Sequence, residues 1–384
     1  MIKLEKLSKV FETPGGGSVI AADQVSMEVP EGEICVLLGP SGCGKTTTLK
    51  MINGLIPKTS GSIWVAGRDT DTVDPVELRR SIGYVIQQIG LFPNMTIEDN
   101  ICVVPDLLGW DRKKARRRAG ELLELVNLDP AIFLKRYPKE LSGGQQQRVG
   151  VIRALAADPP VLLMDEPFGA IDPINRGVIQ DEFLKMQKEL RKTIAFVSHD
   201  IDEAIKMGDR IAIFKDGHLV QYDSPDDLLA RPRNDFIASF LGSDRTLKRL
   251  SLLKVSDVML GDQVRVTAQD DVARARDMMQ EAGHRNIVMV GPRGRARGFL
   301  HLNDIRDVTG RVEEHFQALP TTVNVDDDLR TAVSRMFRHD TTWLACVDDD
   351  GFFKGFVTQR AISHALGATY RDAAQPAEAF AEAL

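Results

Sequence analysis

Short runs of contiguous apolar residues, each closed by a turn or by a polar cluster, recur through the first 240 or so positions. The segments EICVLLGP (from Glu33), VLLMDEP (from Val161), TIAFVSHD (from Thr193) and DRIAIFKDG (from Asp209) have the length and the flanking residues of buried strands. Helical segments alternate with them, so the pattern predicts α/β layering. From about Gly242 to Lys254 the chain turns polar with weak periodicity, which predicts a linker over residues 242–254.

Beyond the linker the pattern repeats itself. Asp270-Asp271-Val272 matches Asp327-Asp328-Leu329, Met279 matches Met336, Val290 matches Val347, and Gly298-Phe299-Leu300 matches Gly355-Phe356-Val357. The offset is a constant 57 residues (355 − 298) without a gap. Each unit reads strand, helix, strand, Gly turn, strand, helix, and two copies suggest a pseudo-symmetric pair rather than a solenoid. The units are placed at about 255–311 and 312–368 within a pair spanning 255–370. The Ala-rich residues 371–384 form a tail.

One stretch fits neither pattern. Gln87–Thr96, QQIGLFPNMT, sets Ile89, Leu91, Phe92 and Met95 among Gln, Gly, Pro and Asn. It is too broken for a helix and too apolar for an ordinary solvated loop.

A net charge of −6 over 384 residues argues against a general nucleic-acid binder, which needs clustered positive charge. The one dense basic run, Arg112–Arg118, reads first as a solvated helix face and secondarily as a contact for anionic headgroups. Cys35, Cys43, Cys102 and Cys346 have neither metal-ligand nor redox spacing, which points to a reduced intracellular setting. MIKLEKLSKVFE carries charges where a signal peptide needs an apolar core, and no apolar run approaches the roughly 18 residues of a membrane span. A cytoplasmic chain is expected, reaching a membrane only through a partner.

The chemistry-bearing motifs lie at the strand ends. Gly39-Pro40-Ser41-Gly42-Cys43-Gly44-Lys45-Thr46 follows an apolar strand and opens a helix, the setting of a phosphate-binding P-loop. Its glycines admit backbone N–H groups to phosphate oxygens and the helix start adds positive potential. Lys45 would reach the β- and γ-phosphates and the Thr46 hydroxyl would bind Mg²⁺. Asp165 and Glu166 end an apolar strand, the first beside the metal and the second able to polarise a water. Leu141-Ser142-Gly143-Gly144-Gln145 is a second helix start with free amides and a hydroxyl, so a second protomer is expected to share each nucleotide.

LSGGQ at 141–145 is identified as the signature motif of ABC-transporter ATPases, and the resemblance covers residues 1 to about 240. It implies a RecA-like core with a helical subdomain and an antiparallel β subdomain, ATP and Mg²⁺ as ligands, and a homodimer. Carried over by motif, Lys45, Thr46 and Thr47 are the P-loop contacts, with Thr47 near the α-phosphate. Gln87 touches Mg²⁺ and the attacking water, and Asp165 holds Mg²⁺ through water. Glu166 is the general base and His199 contacts the γ-phosphate. Ser142 and Gly144 bind the γ-phosphate held by the opposite protomer, Asp172 sits in the D-loop, and Phe11 stacks on adenine. The apolar residues from Ile89 to Met95 fall where the family docks its permease.

ABC ATPases also serve DNA repair and translation, but the short span between P-loop and signature favours an importer subunit. YVIQQIGLFPNMTIEDNI, LLGW and DRIAIFKDGHLVQYDSP look like the ATPases of importers for glycine betaine, carnitine or choline, which commonly carry the tandem CBS modules that the 57-residue repeat resembles. That resemblance implies a separate permease and a solute-binding protein, and a location on the cytoplasmic membrane face. A soluble ABC ATPase acting on nucleic acid or ribosomes, or an importer of another small solute, remains the alternative. In nucleotide-holding CBS modules a Gly-h-h-Thr/Ser-x-x-Asp stretch binds ribose and phosphate. The first unit keeps Asp304 but has His301 for the hydroxyl; the second keeps Thr358 but has Ala361 for the acid. An adenine nucleotide, a cyclic dinucleotide, ionic strength or mere self-association therefore stay open for this pair.

Overall fold

The computed structural model describes residues 1–13, 16–86, 90–169, 171–261 and 264–373. The chain forms two compact units, one of Met1–Leu228 with Pro232–Ala238, the other of Leu229–Arg231 with Ser239–Leu384.

The first unit is built on a six-stranded sheet. Its order is His218–Asp223, Arg210–Lys215, Ile34–Leu38, Thr193–Val197, Val161–Asp165, Ile82–Val85. All pairs are parallel except the edge pair of His218–Asp223 with Arg210–Lys215. Ile34–Leu38, Val161–Asp165 and Thr193–Val197 are buried at every position, which explains their continuous apolar runs: a strand covered on both faces shows no alternation. A separate four-stranded antiparallel sheet, ordered Ser18–Val29, Ile2–Glu12, Ser60–Val65, Arg68–Asp69, packs its apolar face into the same core.

Helices Ile97–Leu107, Arg112–Leu125 and Gly143–Leu155 pack on one another. Their starts follow local chemistry, with Thr96, Asp111 and Ser142 as N-caps that accept amide hydrogens of the first turn. The basic run does lie on a helix, Arg112–Leu125, with Ala115 and Ala119 facing inward. No helix among the described residues is long and apolar enough to cross a membrane.

In the second unit each repeat contributes a small sheet, and the two exchange strands. Leu260–Gly261, near the start of the first repeat, pairs with Phe356 and Gly355 of the second. At the matching position 57 residues on (317 − 260), Gln317–Ala318 lies near the start of the second repeat and pairs with Phe299 and Gly298 of the first. The exchange accounts for the repeated glycines. A Cβ on Gly355, whose φ is +154°, would meet Leu260 O at 2.0 Å, and one on Gly298 would meet Gln317 O at 2.6 Å. Each half keeps its own core, around Met279 and Met336, and Val288, Val290, Trp343, Phe353 and Phe356 form a cluster that joins them.

Two features depart from the repeat pattern. The helix expected to close the first repeat is absent; Leu302–Asp307 are turns, whereas the second repeat closes with helix Gln359–Ala373. Thr358 Oγ1 accepts the Ala361 amide and starts that helix, but His301 occupies the equivalent place in the first repeat. There Arg276 takes the carbonyls of Ile305 and Val308 instead. The stretch 242–254 is also more than a polar spacer. Arg245–Arg249 is helical, and Leu250 and Leu253 join the core of the second repeat, an apolar contribution too short to show as periodicity. Within the segment read as a tail, the last helix reaches Ala373; residues 374–384 lie outside the described part.

Gly355→Ala should therefore destabilise the second unit by about 1–3 kcal/mol through overpacking and backbone strain. Calorimetry should show a lowered transition for that unit with ATPase activity retained.

Candidate functional site

The parallel order of the large sheet brings the motifs together. Ile34–Leu38 ends at the P-loop, its neighbour Thr193–Val197 ends at Ser198-His199, and the next strand ends at Asp165-Glu166. Ligands of open α/β sheets bind at this carboxyl edge. The loops are stitched to one another there: Ser198 N donates to Leu37 O at 3.1 Å and Glu166 N to Val197 O at 3.1 Å.

The P-loop glycines have distinct duties. Gly44, at φ +100°, would drive a Cβ to 1.9 Å from Ala21 O, and Gly39 would drive one to 2.3 Å from Phe214 O. Gly42, at φ +79°, faces open space, as do its exposed neighbours Pro40 and Ser41. Cys43 is buried against the loop. Lys45 is 4% exposed, yet among the described residues its ammonium bonds only neutral partners, Gly39 O at 2.7 Å, Pro40 O at 2.8 Å and Cys43 Sγ at 3.6 Å. A buried cation held by carbonyls at a helix start, beside an open glycine turn, fits an incoming polyphosphate. Thr47 lies half-buried on the first helical turn.

Thr46 Oγ1 donates to Asp165 Oδ1 at 3.0 Å, so a hydroxyl and a carboxylate already adjoin. These hard oxygen donors suit Mg²⁺, which takes few protein ligands and keeps several waters. Tyr84, on the neighbouring strand, has its phenol pushed up to about 12, by burial first and by the Asp165 carboxylate second. Glu166 holds a left-handed backbone at φ +48°, a costly conformation for a non-glycine residue that turns its carboxylate out of the strand line. Its Oε1 lies 2.5 Å from His199 Nε2, so the acid and the histidine reach one another. Gln87 lies outside the described residues, two positions past the end of strand Ile82–Val85.

The signature residues line a different cavity. Ser142, Gly143, Gly144, Gln145, Arg148, Asp172 and Asn175 surround about 440 Å³, and none of Gly39–Thr47 contributes to that lining. Ser142 Oγ accepts Gln145 N at 3.4 Å while Ser142 N donates to Gln145 Oε1 at 2.9 Å, a reciprocal cap. Asp172 caps helix Pro173–Leu190 through Asn175 N at 3.1 Å. Phe11 is 39% exposed on strand Ile2–Glu12 beside exposed Val19 and Ile20, with Lys9 Nζ 4.8 Å from its ring centroid.

In the greasy loop Phe92 and Met95 are exposed, Leu91 is half-buried, and Ile89 lies outside the described residues. Two residues that sequence reasoning passed over hold it. Asn100, 0% exposed, accepts Phe92 N at 2.7 Å and donates to the carbonyls of Phe92, Met95 and Thr96. Arg153, on the signature helix, donates to Gly90 O at 2.6 Å and lies 5.9 Å from the Phe92 ring. Burial pushes the Arg153 guanidinium below its usual range. Gln147 likewise donates to Pro167 O, behind Glu166. An Asn within a helix carries no pattern that marks it; only the carbonyls it faces do. In the repeat pair, Asp304 accepts Gln317 Nε2 at 2.9 Å, and Thr358 is engaged as a helix cap.

A phosphate cradle, a strand-end carboxylate pair and a histidine on its base define a P-loop ATPase. Residues 22–169 match the ABC transporter family and residues 255–310 and 319–368 match the CBS domain family. The chain is 54% identical to the osmoprotectant import ATP-binding protein OsmV of Salmonella typhimurium, over 95% of this chain and 96% of that one. It is 44% identical to the glycine betaine/carnitine/choline transport ATP-binding protein OpuCA of Bacillus subtilis, over 94% and 95%. Among solved structures, a dimeric bacterial ABC transporter cassette superposes with a TM-score of 0.53 at 36% identity, covering 58% of this chain and 98% of that one. The same cassette in a dimeric post-hydrolysis state with ADP and phosphate gives 0.52. The chain belongs to the ABC-transporter family of ATP-binding, ATP-hydrolysing subunits, and carries a tandem CBS pair.

Asn100→Leu should cost about 2 kcal/mol, because the Phe92 amide and the Met95 carbonyl lose their partner while Phe92 O and Thr96 O keep only their backbone donors, Met95 N and residue 100's own amide. Chemical denaturation should show a lower midpoint, and protease cleavage should appear first near Phe92.

Proposed function

We propose that the chain powers import of a quaternary-ammonium osmoprotectant, of the glycine betaine, carnitine or choline class, through a separate permease fed by a solute-binding protein. The observation that carries the solute class is the likeness to osmoprotectant subunits over 94–95% of the chain, CBS pair included. The exposed Phe92 and Met95, braced by Asn100 and Arg153, support this loop as the permease dock. Peripheral association with the cytoplasmic membrane face then follows through that partner.

Two protomers pack head to tail, so that each ATP meets the P-loop of one and Ser142 to Gln145 of the other. The separate signature cavity supports that division, since it has room for phosphate but no P-loop lining. Lys45 offsets charge on the β- and γ-phosphates, and Thr47 lies near the α-phosphate. Thr46 and Asp165, with Gln87, would hold Mg²⁺, which would supply charge neutralisation at the transferred phosphoryl group. Glu166 accepts a proton from the attacking water as its oxygen bonds the γ-phosphorus, while the bond from that phosphorus to the β–γ bridging oxygen breaks and ADP leaves with the charge, offset by Lys45. His199, on the Glu166 carboxylate, orients that base and reaches for the γ-phosphate. Phe11 offers its exposed ring to adenine. ATP favours the closed dimer over the open one, and that difference moves the permease.

Glu166→Gln should lower kcat by roughly 10²–10⁴ while ATP binding persists, because only the proton acceptor is lost. Steady-state phosphate release and nucleotide binding on the same preparation check it. Phe92→Asp should keep ATPase activity and nucleotide affinity but abolish uptake of labelled glycine betaine, carnitine or choline by the reconstituted complex. Normal uptake of one of these by that variant would place the dock elsewhere.

A further inference from the structure

We propose that Glu203 is the positioning residue for His199, clamping the turn that carries the histidine and linking it to the helix that starts at Asp172. The proposal rests on the role given above to His199. Glu203 is 7% exposed, on helix Ile201–Met207 directly after that turn, and no motif includes it. Each carboxylate oxygen has a separate task. Oε2 accepts the Ser198 hydroxyl, while Oε1 accepts Gln180 Nε2 at 3.0 Å.

The Ser198 side determines where the histidine points. Ser198 Oγ also accepts Asp200 N at 3.0 Å, and Ser198 N donates to Leu37 O at 3.1 Å. The residues on both sides of His199 are thereby held to one carboxylate and to the strand that ends in the P-loop. The Gln180 side determines what the histidine senses. Gln180 is 5% exposed and sits about two turns into the 18-residue helix Pro173–Leu190, whose N-cap is Asp172. Arg176, on the same helix, adds an ion pair to Asp200 at 3.6 Å and donates to Ile171 O at 3.0 Å. A shift of the Asp172 loop as two protomers meet is carried by this rigid helix to the histidine turn.

A purely structural site would not favour a carboxylate here. Desolvation pushes the Glu203 carboxyl up, and the bonds from Ser198 and Gln180 pull it back only in part. The nearby Arg176 is engaged with Asp200. Apolar side chains in place of Glu203, Ser198 and Gln180 together would fill the volume without that cost. What a carboxylate adds is two acceptors facing opposite ways, one on the histidine turn and one on the helix.

The test uses the full chain, with kcat and KM for Mg-ATP and the melting temperature measured for each variant. Glu203→Ala should lower kcat about 10-fold with KM within about twofold, and should add nothing to His199→Ala. Glu203→Gln should keep at least about half the activity. Its oxygen can accept from Gln180 and its amide can donate to Ser198 Oγ, whose proton then turns to Asp200 O at 3.4 Å. Gln180→Met, which spares the Ser198 bond, should lower kcat about threefold and be silent in the Glu203→Ala background. Wild-type kcat in Glu203→Ala, additivity with His199→Ala, or a KM and melting loss that tracks the kcat loss would overturn the proposal. His199→Ala at wild-type rate would instead overturn the role assigned to the histidine itself.

Discussion

The burial of Ile34–Leu38 between two parallel neighbours is the constraint on which the rest of the catalytic unit depends. Its backbone pairs on one side with Thr193–Val197 and on the other with Arg210–Lys215, and all five of its side chains are enclosed. Parallel pairing puts every carboxyl end on one edge. Three loops that lie far apart in the chain then arrive within hydrogen-bond reach: Thr46 on Asp165, Glu166 on His199, Ser198 on Leu37. The lysine stays buried on the carbonyls of Gly39 and Pro40 because the same packing shapes the loop around it. The left-handed backbone at Glu166 is sustained by this arrangement, since its own amide is pinned to Val197 O.

From that edge, polar side chains inside helices carry position outward. Asn100 gathers the carbonyls of the loop that presents Phe92, and Arg153 ties that loop to the helix begun by the signature residues. Gln147 joins the same helix to Pro167, one residue past Glu166. Each contact gives a backbone group of a loop a partner in a neighbouring helix, so each is stabilising as well as directional. An apolar loop thereby stays exposed without collapsing into the nearest core.

The second unit shows a different use of close approach. Its two sheets trade short strands about a pseudo-two-fold relation, which requires a backbone carbonyl to lie against Gly355 in one half and Gly298 in the other. The cost is borne by residues that lack a Cβ, and the gain is a shared cluster around Trp343 and Phe356 that neither half could bury alone. Symmetry is broken where His301 stands in place of Thr358, and the first repeat lacks the hydroxyl that caps the closing helix of the second.

The residue pattern by itself determined the α/β layering, the P-loop and strand-end carboxylates, the signature helix start and the 57-residue repeat, because each is written in local periodicity or fixed spacing. Covered strands must be continuously apolar and phosphate turns must be rich in glycine, so these features cannot hide. Only the tertiary structure decided that Asn100 and Arg153 brace the apolar loop, that Glu203 and Gln180 join two helices, and that the repeats exchange strands. Those residues are ordinary by type and position. Their meaning comes from a partner tens of residues away, and hydrogen bonding at long range leaves no periodic trace in a single chain.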